Sequence, residues 1–163
     1  MIDIQNVEAS SWDRYFIKMA QLVASKSKDP STKCGAVIVG EDNEVLSTGF
    51  NGFPRGVDES IESRWNIRPD KYEWVEHGER NAIYNAARAG ISCRGARMYL
   101  NYRPECCSDC TRGIIQAGIT TVIGPNIPFP GKGKGEHYDV AGANMTMFKE
   151  AGTIIVVTLD VTE

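Results

Sequence analysis

Residues 77–83 read His-Gly-Glu-Arg-Asn-Ala-Ile, and residues 106–110 read Cys-Cys-Ser-Asp-Cys. Each stretch opens a segment with the apolar spacing of a helix, and a strand-like run lies between the two. Cys107 and Cys110 are three residues apart, so their sulfurs share one helix face. His77, at the start of the other helix, supplies a third potential ligand. The two segments therefore predict an α/β protein in which two helix starts meet at a metal site.

The residue types at this site indicate which metal it binds. Two thiolates and one imidazole are a donor set typical of zinc, and three protein ligands leave the fourth tetrahedral position open for water. Glu79, two residues after His77, is placed to exchange protons with that water. These residues resemble the zinc deaminase signature, His-x-Glu followed by Pro-Cys-x-x-Cys. We therefore predict His77, Cys107 and Cys110 as zinc ligands and Glu79 as the proton shuttle.

The same residues are compatible with simpler interpretations. Cys107 and Cys110 fit a structural zinc site completed by His77 and Cys106, or a thioredoxin-like redox pair. His77 and Glu79 fit an ordinary helix start whose acid is solvated. However, the sequence has no second Cys-x-x-Cys for a structural site, and a redox pair needs neither His77 nor Glu79. A catalytic zinc site is the interpretation that uses all four predicted residues.

The composition is that of one globular domain, assigned to residues 1–163. Hydrophobic residues make up 42% and charged residues 24% of the chain. The net charge of -3 leaves no basic excess for a polynucleotide and favours a small charged metabolite. No apolar run approaches the roughly 20 residues that cross a bilayer, so no membrane association is expected. Residues 1–11 lack the features of a signal peptide, so we expect a cytoplasmic location.

Apolar periodicity and turn residues predict four helices and five strands. The helices are predicted over about 11–27, 77–89, 107–117 and 140–151, with Ser10 or Ser11 capping the first. The strands are predicted over 35–40, 45–50, 97–100, 120–123 and 153–159. Residues 51–75 are predicted to be an irregular loop with a role in function or assembly. The order of elements predicts a three-layer α-β-α fold with a central mixed five-stranded sheet.

Most of the chain resembles the deoxycytidylate (dCMP) deaminase family of the cytidine deaminase-like superfamily. The resemblance is carried by residues 27–37, 49–56 and 77–83 and by the helix from Cys110 to Ile119. The Gly-Phe-Asn-Gly-Phe-Pro loop at 49–54 is the part that favours dCMP over the substrates of other deaminases. The resemblance implies a cytidine deaminase-like fold and a zinc-dependent hydrolysis of dCMP to dUMP and ammonia, in pyrimidine deoxynucleotide metabolism.

The resemblance and the charges also suggest which residues contact the substrate. Asn51 is expected to contact the sugar or the base. Tyr138 resembles a tyrosine that closes over the nucleotide, with an ordinary loop aromatic as the alternative. Lys33 and Arg55 are candidate phosphate contacts on charge alone, or else solvated surface cations. Ser31 is expected either to donate to the phosphate or to cap its turn.

Two positions depart from the family's pattern. Cys106 stands where proline usually precedes the first paired cysteine, and this leaves its thiol a candidate for zinc binding or for reactivity. Gly78 stands where alanine is usual, and the missing Cβ predicts a wider site or a helix start looser by roughly 0.5–1 kcal/mol. Cys34 and Cys93 are predicted to bind no metal.

The resemblance further implies a homo-oligomer, often a hexamer, that dCTP activates and dTTP inhibits. Other substrates remain open: free cytidine, a riboflavin precursor, or tRNA adenosine, the last of which the net charge disfavours. A non-catalytic zinc-binding interaction domain is the alternative from a different class of protein. That alternative predicts bound zinc without enzymatic activity.

Overall fold

The computed structural model describes residues 4–127 and 142–159, which form six helices and one sheet of six strands. The strands are β1 (Ile4–Val7), β2 (Gly35–Val39), β3 (Val45–Phe50), β4 (Arg97–Leu100), β5 (Thr121–Pro125) and β6 (Ile154–Thr158). The helices are α1 (Ser11–Ala24), α2 (Ser63–Asn66), α3 (Lys71–Trp74), α4 (Gly78–Ala89), α5 (Ser108–Gln116) and α6 (Ala143–Ala151). Within these residues, no helix combines the length and the apolar character needed to cross a membrane.

Helices cover both faces of the sheet, so the predicted three-layer arrangement is confirmed. All five residues of β2 are buried, as expected for a central strand covered on both faces. Successive side chains of this strand point to opposite faces, so Val37 packs on the side of α1 and Ile38 on the side of α4, α5 and α6. The helix residues in these two cores are Phe16, Ile17 and Ala20 on one side, and Ala82, Ala86, Cys110, Ile114, Met145 and Phe148 on the other.

The strand order places the starts of α4 and α5 at one edge of the sheet. The order is β1-β6-β5-β4-β2-β3, and β2 runs antiparallel to both of its neighbours. The other neighbouring strands are parallel, so the predicted mixed sheet is confirmed. Because β3 and β4 are each antiparallel to β2, they run in the same direction. The segments that leave their carboxyl ends therefore emerge together, one leading to α4 and the other to α5.

The predicted number of strands, five, is wrong because β1 adds a sixth at the edge of the sheet. Three of its four residues are exposed and the fourth is half-buried, so the strand has no apolar alternation. It is held by parallel pairing to β6, for example Ile4 opposite Ile155, and by the Leu159 N–H, which donates to the Val7 carbonyl at 3.0 Å. Such an edge strand depends on backbone hydrogen bonds, which leave no hydrophobic pattern in the sequence.

The first helix is shorter than predicted. Ser10 caps it, as one of the two predicted caps, and forms a capping box with Asp13. The helix ends at Ala24 rather than at Ser27. The buried Ser27 hydroxyl instead donates to the Asn51 carbonyl oxygen at 2.8 Å, which ties the chain after α1 to the end of β3.

The segment from 51 to 75 is more ordered than the predicted loop. It contains the two short helices α2 and α3. Phe53 stacks on Trp65 with ring centroids 4.0 Å apart, and both rings are buried. Lys71 is buried as well. The segment therefore has a small core of its own. That core is formed by aromatic side chains that lie far apart in the sequence.

Candidate zinc centre

The first turn of α4 presents His77 and Glu79 at the edge where the helix starts meet. His77 is the extended residue that precedes the helix, and Glu79 is its second residue. The helix lies close to β3 at Gly49, where a Cβ would be 2.1 Å from the Ala82 nitrogen and 2.4 Å from the Gly78 carbonyl oxygen. The position of the helix start therefore requires a glycine at 49.

The first turn of α5 presents the two cysteines to the same place. Cys107 is the extended residue that precedes the helix, and Cys110 is its third residue. Cys110 is fully buried, whereas Cys107 is half-buried. The amino end of a helix carries a partial positive charge that favours thiolates over thiols. The local structure therefore supports the charged form that a metal requires.

The structure brings the three predicted ligands together. Nδ1 of His77 lies 3.4 Å from Sγ of Cys107 and 3.4 Å from Sγ of Cys110. The three ligand atoms all lie within 4.8 Å of one another. Tetrahedral zinc, with bonds of about 2.0 Å to nitrogen and 2.3 Å to sulfur, separates such ligand atoms by roughly 3.5 Å. The spacing therefore fits one zinc ion.

Hydrogen bonds within this group shift its acidities. The hydrogen bond that Cys110 donates and the neighbouring His77 ring together lower the pKa of Cys107 to about 4, against the opposing effect of burial. The same bond and burial raise the pKa of Cys110. Burial alone would lower the pKa of His77, but the bond to Cys107 and the charge of Glu79 raise it. Cys107 is therefore the thiolate of the group, and its negative charge lies beside the His77 ring.

Glu79 provides a second test of whether a metal fits here. The residue is 1% exposed, and its Oε2 atom has no hydrogen-bond partner in the part of the chain that the structure describes. A buried carboxylate oxygen without a donor is costly. A zinc ion with a bound water would supply the missing donor, so the residues present fit the metal.

Arg80 links the two halves of the site and was not predicted. It forms an ion pair with Glu76, four residues earlier, and a second one with Asp109 at 3.3 Å. The same Glu76 carboxylate accepts the His77 backbone N–H at 2.9 Å. Asp109 lies between the two cysteines in sequence. The Glu76–Arg80 spacing is a helical ion-pair spacing and could have been found in the sequence, whereas the contact to Asp109 depends on the fold.

The remaining cysteines lie outside the three-ligand group found among the described residues. Cys106 is fully buried, and its thiol donates to the Pro104 carbonyl oxygen at 3.4 Å. Burial raises the pKa of Cys106 and disfavours a reactive thiolate. Burial also raises the pKa of Cys34 and of Cys93. These three side chains pack as small hydrophobic groups in the main core.

Gly78 does not leave the open space that its missing Cβ suggests. A Cβ at this position would lie 3.0 Å from the Cys34 carbonyl oxygen and 3.4 Å from that of Gly49. The two carbonyls already occupy the space beside the helix start. The predicted widening of the site is therefore wrong at this position.

Asn51 lies next to the backbone bridge that reaches the segment carrying His77, and its side-chain amide bonds other parts of the chain. Its Oδ1 accepts the Cys34 N–H at 2.8 Å, and its Nδ2 donates to the Thr32 carbonyl at 2.8 Å. Next to it, Gly52 and Glu76 exchange backbone hydrogen bonds of 3.0 and 2.8 Å. Asn51 is thereby fixed one residue from a direct contact with the segment that carries His77.

The other predicted substrate contacts lie in different parts of the chain and have different surroundings. Ser31 donates from its hydroxyl to Asp29 Oδ1 at 2.9 Å, and Lys33 is exposed on the same turn. Arg55 is exposed and hydrogen-bonds Asn85 on α4, roughly 9 Å along the helix axis from Glu79. Tyr138 lies outside the described residues.

A three-layer α/β fold with a His-Cys-Cys group and a buried glutamate, whose Oε2 has no hydrogen-bond partner among the described residues, defines a zinc protein of the catalytic type, with one coordination position left for water. The chain belongs to the family described as cytidine and deoxycytidylate deaminase zinc-binding region, whose model matches residues 10–124. Zinc is accordingly the metal for which this site is built, as predicted. The predicted family is confirmed.

Individual relatives agree with this assignment. The chain is 40% identical over 116 residues to the deoxycytidylate deaminase of Mus musculus, an alignment that covers 69% of this chain and 63% of that protein. It is 32% identical over 145 residues to the deoxycytidylate deaminase of Enterobacteria phage T4, covering 66% of this chain and 74% of that protein. The match to the mouse protein thus spans less than two thirds of that relative.

A solved structure supports the fold. The dCMP deaminase from the cyanophage S-TIM5, in complex with dCMP and dUMP, superposes with a TM-score of 0.69. The alignment has 23% sequence identity and covers 93% of this chain and 98% of that chain. The predicted cytidine deaminase-like fold is therefore confirmed.

Proposed function

We propose that this protein hydrolyses dCMP to dUMP and ammonia with one zinc ion bound by His77, Cys107 and Cys110. The observation that carries the proposal is the buried Glu79 carboxylate, whose Oε2 has no hydrogen-bond partner within residues 4–127 and 142–159, in the same helix turn as one of the three converging ligands. A structural zinc site has no use for such a group, whereas hydrolysis needs a base at this position. The relatives named deoxycytidylate deaminase support dCMP as the substrate.

Glu79 is the residue that moves protons in this reaction. A zinc ion in a three-ligand site supplies Lewis acidity, which lets water act as a nucleophile near neutral pH. Glu79 accepts a proton as the water oxygen attacks C4 of the cytosine, and passes it to the ring nitrogen. A second transfer through Glu79 gives the departing amino group the proton it needs to leave as ammonia. Burial of the carboxylate keeps bulk water from competing for these protons.

The substrate side of the site is proposed around Asn51. Its place beside the Gly52–Glu76 bridge brings it next to the segment that ends in His77, and this supports a contact to the sugar or base. Its Oδ1 accepts one hydrogen bond and keeps a second lone pair for a ligand. Lys33, Ser31, Arg55 and Tyr138 stay proposed nucleotide contacts on charge and resemblance.

Several wider properties are part of the proposal. A single domain over 1–163 and a cytoplasmic location rest on the sequence composition and hydropathy, whereas a homo-oligomer such as a hexamer and control by dCTP and dTTP rest on the family resemblance. Size-exclusion chromatography with light scattering tests the assembly. Activity assays with each triphosphate test the control, and a monomer that neither triphosphate affects would contradict both.

The test of the function is ammonia release from dCMP, compared with cytidine, deoxycytidine, CMP and dCTP. Zinc content and the Glu79→Ala variant are measured in parallel. We expect turnover of dCMP that falls by at least roughly 100-fold in Glu79→Ala while zinc stays bound. Glu150→Ala, which removes an exposed glutamate on α6, is the matched control and should leave turnover unchanged.

Other outcomes would point to other functions. Turnover of cytidine or CMP in preference to dCMP would identify a different deaminase substrate. One zinc per chain without turnover of any cytosine compound would favour the non-catalytic zinc domain. Equal turnover in the wild type and Glu79→Ala would refute the role of Glu79 as the proton shuttle.

A further inference from the structure

A buried carboxylate joins three separate parts of the chain close to the proposed substrate site. Asp29 is 2% exposed. Its two oxygens accept hydrogen bonds from the Ser31 and Thr32 backbone N–H groups at 2.8 and 3.1 Å, from the Ser31 hydroxyl at 2.9 Å, and from Asn51 Nδ2 at 3.2 Å. Lys71 Nζ completes the set at 2.8 Å from Oδ1. Asp29 therefore determines the shape of the turn at 29–34 and holds Asn51 against that turn.

Lys71 is unusual among the described lysines because it is buried. Only 5% of its side chain is exposed, and its ammonium group donates to the Ser31 hydroxyl at 2.6 Å as well as to Asp29. Lys71 belongs to α3, in the segment between β3 and α4. It therefore lies about 40 residues further along the chain than Asp29 and Ser31, which it contacts. Burial costs a lysine its hydration, so the ammonium group of Lys71 requires these hydrogen bonds in the folded protein.

We propose that Lys71, paired with Asp29, is a positioning residue for the nucleotide pocket. It clamps the segment between β3 and α4 onto the turn at 29–34, and so presents Asn51 and that turn to the substrate in one arrangement. This inference rests on the proposed function. It assigns Lys71 no contact with the reacting atoms.

The position of the network limits which step it affects. Asn51 is bonded to the Cys34 N–H and the Thr32 carbonyl, so displacement of the turn also displaces the amide that we propose contacts the sugar or base. The zinc ligands are held by other contacts, namely the starts of α4 and α5 and the Arg80 ion pairs. Loss of Lys71 should therefore weaken nucleotide binding and leave the zinc site intact.

The chain offers a closely matched control. Lys28, next to Asp29, forms an ion pair with Glu59 that also connects the turn to the segment between β3 and α4. Its side chain is 69% exposed and that of Glu59 is 36% exposed, so water screens this pair. Lys28→Met removes the same kind of side chain and a link between the same segments, but not a buried one.

The experiment compares Lys71→Met, Lys71→Gln and Lys28→Met with the wild type in the full chain loaded with zinc. We expect KM for dCMP to rise roughly 10-fold in Lys71→Met, with kcat within about threefold and zinc content unchanged. Lys71→Gln keeps a donor toward Asp29 and should recover part of the loss. It also serves if Lys71→Met does not fold. Lys28→Met should match the wild type.

Hydrogen–deuterium exchange gives a readout that does not depend on turnover. In Lys71→Met the amides of Ser31, Thr32 and Cys34 should exchange faster, while those of β2 and α4 keep wild-type rates. This measurement separates the two proposals, because it still tests the clamp if the wild type turns over no cytosine compound. Unchanged KM and unchanged exchange would overturn the inference. Loss of zinc, or a fall in kcat equal to that in kcat/KM, would also overturn it.

Discussion

A methyl group at position 49 would collide with the helix that carries the proposed proton shuttle. The added Cβ would lie 2.1 Å from the Ala82 nitrogen and 2.4 Å from the Gly78 carbonyl oxygen, whereas ordinary van der Waals contact begins at 3.4 Å. Both atoms belong to the backbone of α4, which cannot rotate away as a side chain can. The larger shortfall, 3.4 minus 2.1, is 1.3 Å, so the start of α4 must move by about that distance.

Gly49→Ala is therefore expected to damage both stability and catalysis. Overpacking of this kind costs about 1–3 kcal/mol of the free energy of unfolding. A displacement of about 1 Å in a catalytic group lowers the rate by roughly 100-fold. Because His77 and Glu79 move with the helix start, we expect dCMP turnover to fall by about that factor and zinc to dissociate more readily.

Urea unfolding, steady-state deamination and competition with a zinc chelator measure the three effects. Gly52→Ala is the nearby control, because the closest atom to a Cβ there is 3.9 Å away, and we expect a change within about 0.5 kcal/mol. Gly78→Ala should lie between the two, since its closest approach is 3.0 Å. If Gly49→Ala kept wild-type stability and turnover, α4 would not depend on this close approach and the reasoning would be refuted.

Three further predictions concern single interactions. Arg80→Met should weaken zinc binding roughly 10- to 100-fold in a chelator competition, because Arg80 forms ion pairs with both ligand segments. Arg112→Met, which removes only an ion pair to Asp109, should not weaken it. Equal zinc affinities of Arg80→Met and the wild type would exclude this role for Arg80. Thr111→Val should raise the melting temperature by an amount equivalent to about 1 kcal/mol, because the buried Thr111 hydroxyl has no partner among the described residues; a lower melting temperature would indicate a partner. Burial alone would raise the pKa of Asp29, but hydrogen bonds from Lys71 and Ser31 hold the folded-state pKa below its ordinary value. Its stabilising contribution is thus complete above the unfolded pKa of about 4 and is lost as the pH falls through the folded pKa. The free energy of unfolding, measured with urea between pH 7 and 3, should therefore depend less on pH in Asp29→Asn than in the wild type.

The three residues of the His-Cys-Cys group could be predicted because their geometry is local. Two cysteines three residues apart at a helix start face the same way in any protein, and a histidine at a second helix start completes the set. The sequence contains both starts, marked by apolar periodicity. Only the meeting of the two segments depends on the fold, and an alternating order of strands and helices already brings such starts to one edge of a sheet.

The edge strand and the short helices could not be predicted in the same way. β1 is mostly exposed and owes its place to backbone pairing with β6. Phe53 and Trp65, which stack in the segment after β3, are 12 residues apart and share no period with their neighbours. Hydrophobic periodicity reports burial against a sheet or a helix, so elements held by other means escape it.

The proposed substrate side was the hardest part of the site to predict because its hydrogen bonds depend on residues distant in sequence. Asp29 in Lys-Asp-Pro-Ser has the sequence of an ordinary turn residue, and its side chain does cap that turn. What distinguishes it is the buried ammonium group of Lys71, 42 residues later, and no local pattern marks a lysine that will be buried. The same contact engages Ser31, because the Ser31 hydroxyl donates its hydrogen to Asp29 and its oxygen accepts a hydrogen bond from Lys71. A hydroxyl engaged in this way holds the turn and, through it, the proposed nucleotide pocket, so such polar residues can be recognised only after the fold has paired them.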